Sequence, residues 1–257
     1  MTSIVAELLD RIASHPCCGY ERTQPPRVEP TALAALALSL HGRTNDAHAA
    51  LDWLASVQNS DGSFGVDATL RQPHWPTGWA ALAFRAATQQ TAATWPFAEA
   101  ADRGAQWLLS SSGEPLEREN KEIVGHDTTL RGWPWVETTH SWIEPTATAV
   151  LALKAMGHAR HPRCREAVRL IIDRTLPGGG WNYGNTIVLG NTLLPHVQPT
   201  GLALAALAGE AGSASAIERA VGYLRRTLTA TTAAASLGYA LLGMELCRLP
   251  PSRTSEL

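Results

Sequence analysis

The sequence predicts an all-α protein, an α/α toroid of about five inner and outer helix pairs with long aromatic-rich loops on one rim. Three observations point there. A Pro-Thr step recurs ahead of Ala/Leu-rich runs, evenly apolar stretches alternate with two-faced ones, and the long connections fall on one side of that alternation.

The first stretch, residues 4–14, is amphipathic and predicts an outer helix. Inner helices are predicted at Glu29-Pro30-Thr31, Trp75-Pro76-Thr77, Glu144-Pro145-Thr146 and Gln198-Pro199-Thr200. Proline suits a first helical turn because its missing N–H has no partner there, and it pushes the residue before it out of helical angles. The runs that follow, such as 32–40 and 147–156, are apolar almost all round, the pattern of a helix buried on both sides. Each is followed by a short polar turn and an outer helix, at 47–58, 98–109, 164–176 and 217–228. In the third of these, Arg165, Glu166, Arg169, Asp173 and Arg174 alternate with Ala167, Val168, Leu170, Ile171 and Ile172, predicting one face in solvent. The apolar stretch 232–247 would be the inner partner of the N-terminal helix and close the ring. The whole chain, 1–257, then forms one domain.

Turns from inner to outer helix are short, whereas the links 59–75, 110–144 and 177–198 are long. Long links inside a compact domain are usually functional, and these are rich in tryptophan, glycine and histidine. With the inner helices parallel, all of them share one rim, where the working end is expected.

Composition limits the partners. The chain has 257 residues, 45% of them hydrophobic, enough for a large core. Its formal net charge is -2 and its lysines are Lys121 and Lys154, so no basic surface predicts nucleic acid or anionic lipid. No run of about 18 apolar residues predicts a transmembrane segment, and Glu7 and Asp10 interrupt the N-terminal segment where a leader would be apolar. A cytoplasmic protein is expected. Its four cysteines, with Cys17 and Cys18 adjacent, read as reduced thiols.

Three long links carry related motifs. Gln58-Asn59-Ser60-Asp61-Gly62-Ser63-Phe64-Gly65 follows Trp53-Leu54. Leu130-Arg131-Gly132-Trp133-Pro134-Trp135 follows Trp107-Leu108. Pro177-Gly178-Gly179-Gly180-Trp181-Asn182-Tyr183-Gly184 follows Leu170-Ile171. The first resembles the glutamine–tryptophan repeat of squalene and oxidosqualene cyclases, a shape shared with protein prenyltransferase β subunits, with Phe64 in place of tryptophan. The others keep the Gly-Trp half. With the Pro-Thr starts, the chain resembles the terpenoid cyclase and protein prenyltransferase superfamily over about residues 28–245. The resemblance implies an α/α toroid and a small isoprenoid or similar hydrophobic substrate, cyclised or isomerised after protonation. The family's acid motif Asp-x-Asp-Asp and its zinc pair Asp-x-Cys are both absent here, so a non-catalytic toroid binding a hydrophobic ligand or a protein is the alternative.

The candidate site is therefore drawn from the rim. Trp75, Trp79, Trp133, Trp135, Trp142 and Trp181, with Tyr183, would line a cavity whose aromatic faces stabilise a developing cation; the bland reading is that they cap the barrel and pack the loops. Asp127, in Gly125-His126-Asp127-Thr128-Thr129, is the first candidate acid, and His126 and Glu144 complete the catalytic set. Glu144 and Glu29 stand where carboxylates serve as helix caps, and Glu137 is a further carboxylate. The carboxylates also admit a glycoside-cleaving pair, which spacing along the chain does not decide. His74, His140 and His196 precede three Pro-Thr starts and offer a three-histidine zinc site as a minor reading. Inner-helix N-termini gathered at the rim would favour an anionic group, such as a diphosphate or a carboxylate, held with Arg71 or Arg131, and a prenyl diphosphate with its tail in the barrel would satisfy both features.

Overall fold

The structure, a computed structural model, describes residues 3–21, 23–89, 97–117 and 124–248. The predicted turn around 90–96 and part of the link 110–144 lie outside the described residues. Ten helices and one two-stranded hairpin are present among the described residues, so the protein is all-α. They are α1 (Ile4–Ser14), α2 (Val28–Leu40), α3 (Thr44–Val57), α4 (Pro76–Gln89), α5 (Phe97–Ser110), α6 (Ile143–Ala155), α7 (Pro162–Asp173), α8 (Val197–Leu207), α9 (Ala214–Thr227) and α10 (Ala234–Leu246). No described helix is long and apolar enough to cross a membrane.

The chain divides into two compact units, Met1–Ser111 and Ser112–Leu257. In the first, α2 packs on α1, α3 and α4, and α4 packs on α5. Phe64, Phe84 and Phe97 form a buried stack with ring centroids 6.1 and 5.6 Å apart. In the second, α8 is the hub and touches α6, α7, α9 and α10; Pro199 through Leu207 are buried without a break.

More deeply buried helices alternate with helices buried along one stripe, as the apolar periodicity predicts. On α9 only Ala216, Ala220 and Leu224 are buried, four residues apart, the single stripe of a surface helix. α6 buries every residue from Ile143 to Val150. Terminal helices differ from this pattern. α10 is apolar all round yet buries only Ala240 and Gly243, leaving Leu241 and Leu242 exposed, and α1 buries only Leu9.

A hydrogen-bonded clip recurs at each Pro-Thr start. Thr77 Oγ1 accepts from the Phe64 N–H, Thr146 Oγ1 from Trp133 and Thr200 Oγ1 from Trp181, each at 2.9 Å. The hydroxyls also donate to the carbonyls of Trp133 (3.3 Å) and Trp181 (3.1 Å). Thr31 makes the same pair of bonds to Cys18, at 3.2 and 3.0 Å. One buried hydroxyl thus satisfies both backbone groups of a loop residue that has no ladder partner. The clip explains the glycine ahead of each tryptophan: a Cβ on Gly180 would stand 2.8 Å from Thr200 Oγ1, and one on Gly132 would collide with Thr146 Oγ1.

The glutamine of the first motif ties its turn to the next helix. Gln58 Nε2 donates to the carbonyls of Gly62 (3.0 Å) and Ala100 (2.9 Å), and Arg103 donates to Gln58 Oε1. The third link contains the hairpin β1 (Ile187–Val188) and β2 (Asn191–Thr192), in register Ile187↔Thr192 and Val188↔Asn191. Leu189 and Gly190 turn it with φ of 50° and 76°, the positive pair that a tight hairpin needs.

Candidate functional site

Two long loops meet beside the N-terminus of α6 in the second unit. Ile143 N–H donates to Tyr183 O and Thr186 Oγ1 donates to Val124 O, each at 2.9 Å. Trp133 and Trp142 form an isolated antiparallel bridge. These contacts leave two neighbouring cavities with Asn185 on the wall of both.

The larger cavity is an apolar groove of about 410 Å³ between Trp142, Tyr183, Leu193, Leu194 and His196, with Asn182 and Thr192 as polar members. The Tyr183 and His196 rings face each other at 5.3 Å, and Leu194, 78% exposed, stands at the open side. Gly184 makes room at the wall: a Cβ there would sit 3.1 Å from Arg174 Nη1 and 3.4 Å from the Trp142 ring.

The smaller cavity is a recess of about 220 Å³ in which Arg174, His126, His140, Ser141 and Thr128 stand with Leu116 and Leu130, and Glu114 is exposed at its rim. Arg174 is 5% exposed and donates through Nη1 to Ser141 O at 2.6 Å, while its Nε has no hydrogen-bond partner. Burial pulls its guanidinium down to about 10, opposed by the charge of Asp173, so it is cationic at neutral pH. His126 Nδ1 lies 3.1 Å from Thr186 Oγ1, and His140 packs on Trp142 at 4.4 Å. Burial first, and Arg174 second, lower the pKa of both histidines and favour the neutral rings.

This shift has a measurable consequence. Both folded pKa values lie below the ordinary histidine value of about 6.5, so the unfolded chain takes up these protons first as pH falls. Their contribution to stability is whole above about pH 6.5 and is lost below it. Arg174 and the opposite ring oppose protonation of His126 and Asp173 favours it, while Arg174 opposes that of His140. Thermal melts are expected to drop between pH 7.5 and 5.5, and His126→Gln with His140→Gln is expected to flatten that slope. An equal slope in the double variant would exclude the pair as its source.

The structure separates the sequence-predicted residues into distinct environments. Trp142, Tyr183 and His196 border the groove, and His126 and His140 border the recess. Trp133 (2% exposed) and Trp181 (0%) are core, with Trp181 Nε1 donating to Ile171 O at 2.6 Å. Trp75 and Trp79 belong to the first unit, and Trp135 is half-buried and lines neither cavity.

Asp127 closes its own turn: Oδ1 accepts from Thr129 N–H (3.0 Å) and Oγ1 (2.7 Å), and its N–H donates to Asp173 Oδ2 (2.6 Å). Glu144 is 6% exposed in the first turn of α6, and neither acid lines the groove or the recess. Arg131 is exposed, with its backbone held by Glu166 and Arg163. Glu137 is exposed, and Glu29 accepts from the Tyr20 hydroxyl at 2.5 Å. Arg71 is engaged in its own loop with Asn59 and Gln58 O.

Of the three histidines read as a zinc site, His74 belongs to the first unit, while His140 and His196 border different cavities of the second. Among the described residues no group of three or more His, Cys, Asp and Glu is placed to hold a metal ion. Arg174, the C-cap of α7, is buried and does not join the solvent face, because it stands three and four residues after the buried Ile171 and Leu170. Ser141, Asn185, Leu193 and Leu194 complete the cavities and stand out from the sequence by no motif.

No family model matches the chain, and no curated protein matches it.

Proposed function

We propose that the second unit binds a small hydrophobic molecule of the isoprenoid kind, with its hydrocarbon along the groove between Trp142, Tyr183 and the Leu193–Leu194 pair. The observation that carries this reading is the groove itself. Its volume of about 410 Å³ falls in the range of small-molecule sites, and its wall is aromatic and aliphatic. Burying about ten methylene equivalents at about 0.8 kcal/mol each gives about 8 kcal/mol before ordering costs, so affinities between about 1 and 100 μM are expected.

Titration with farnesol and geraniol, followed by tryptophan fluorescence and calorimetry, tests the reading. Saturable binding that Trp142→Ala weakens about tenfold is expected. Absence of binding to either alcohol at millimolar concentration sinks it.

Acid-initiated cyclisation or isomerisation is the catalytic extension of the same proposal, with Asp127 as acid and Glu144 and His126 beside it. The engagement of Asp127 in its own turn favours binding without turnover. Turnover unchanged in Asp127→Asn would remove that residue from the chemistry. The terpenoid-cyclase-like α/α toroid belongs to this proposal too, supported by the threonine clip repeated within each unit.

A further inference from the structure

We infer that the recess at Arg174 is an oxyanion site, and that it takes the single negative charge of a carboxylate whose hydrocarbon chain lies in the adjoining groove. The inference rests on the groove reading for the chain and on the recess alone for the head.

A buried guanidinium is costly unless paired, because its charge has left water, and an arginine is almost never fully buried without a partner. Arg174 is 5% exposed, yet no carboxylate forms an ion pair with it among the described residues. Its one side-chain hydrogen bond goes to the Ser141 carbonyl, and its Nε is left without an acceptor. The adjacent carboxylate, Asp173, is drawn away to the Asp127 N–H. Arg174 borders a cavity of about 220 Å³, so there is space beside its guanidinium for a ligand.

The chemistry of the wall selects the ligand. Guanidinium presents a planar fork that matches the two oxygens of a carboxylate. Ser141 and Thr128 stand on the same wall, and the two histidine rings there are biased to the neutral form. The recess therefore holds one positive charge, that of Arg174, already opposed in part by Asp173 beside it and by the Glu114 carboxylate at the rim, which disfavours a second negative charge. That balance suits a monoanion and disfavours a diphosphate. Asn185, on the wall of both cavities, sets where head and chain would join.

Farnesol, farnesoic acid and farnesyl diphosphate share one chain and differ in head charge, so their titration into the full-length protein separates the two readings. Farnesoate is expected to bind at least tenfold more tightly than farnesol or farnesyl diphosphate. In Arg174→Met that preference should fall below threefold, with farnesol affinity unchanged. Equal binding of farnesol and farnesoate to the wild-type protein overturns the oxyanion site and leaves the groove reading intact. Tighter binding of the diphosphate overturns the selection of a single charge.

Because Arg174→Met loses the bond to Ser141 and is liable to misfold, the Arg174 Nε–H resonance of ¹⁵N-arginine-labelled wild-type protein provides the second measurement. It is expected to move with farnesoate and with acetate alone, and to stay in place with farnesol. A resonance that acetate and farnesoate both leave unmoved overturns the inference, whatever the groove binds.

Discussion

Replacing Gly201 by valine is expected to unseat α10 from α8 and to destabilise the second unit by about 3 kcal/mol or more. The two helices cross where neither carries a side chain. A Cβ on Gly201 would collide with the Tyr239 carbonyl and stand 2.6 Å from Ala240 N, and one on Gly243 would collide with Gly201 O. Overpacking a core usually costs about 1–3 kcal/mol because side chains give way by rotating. Here the obstacle is backbone, which has no rotamer to change. α10 must then move as a body, and its only buried residues, Ala240 and Gly243, lie at this contact. The loss is bounded by the docking energy of α10 itself. Urea unfolding together with limited proteolysis near residues 228–233 reads both the stability and the release of the helix. Wild-type stability with an unchanged cleavage pattern would show that α8 and α10 do not approach this closely.

Trp181→Ala is expected to cost about 3–5 kcal/mol, the usual loss for truncating a fully buried large aromatic. Trp181 is 0% exposed, its indole N–H is used by Ile171 O, and its backbone is clipped by Thr200. Alanine would leave a cavity and a carbonyl with one donor fewer. Trp142→Ala should behave in the opposite way: that half-buried ring borders the groove, so stability changes by about 1 kcal/mol or less while ligand affinity falls. Denaturant unfolding of both variants, compared with their farnesol affinities, separates the two roles. Should Trp181→Ala keep its stability within about 1 kcal/mol, the ring is not part of the core; should Trp142→Ala keep its affinity, the groove is not the binding site.

The contrast marks where reading residues in order stops being informative. Trp133 and Trp181 share a Gly-Trp step that Trp142, the N-cap of α6, lacks, but that step reports a backbone clip and not which ring is covered. The difference is made by what folds over each ring: the end of α7 covers Trp181, whereas Trp142 meets His140 and the open groove. Arg174 misled for a related reason. Its charge suggested solvent beside Arg165 and Arg169, whereas its spacing, three, four and seven residues after the buried Ile171, Leu170 and Ala167, puts it on the buried stripe.

By itself the sequence determined the helices and their order. Proline in a first turn, apolar periodicity and short polar turns act over a few residues, and they located α2, α4, α6 and α8 as buried and α3, α5, α7 and α9 as two-faced. Tertiary structure alone decided which loop residue each Pro-Thr hydroxyl holds, which tryptophans are core, and that Arg174 faces His126 and His140 across a recess. Those outcomes depend on hydrogen bonds and contacts between residues 13 to 60 positions apart, a separation over which chain composition carries no geometry.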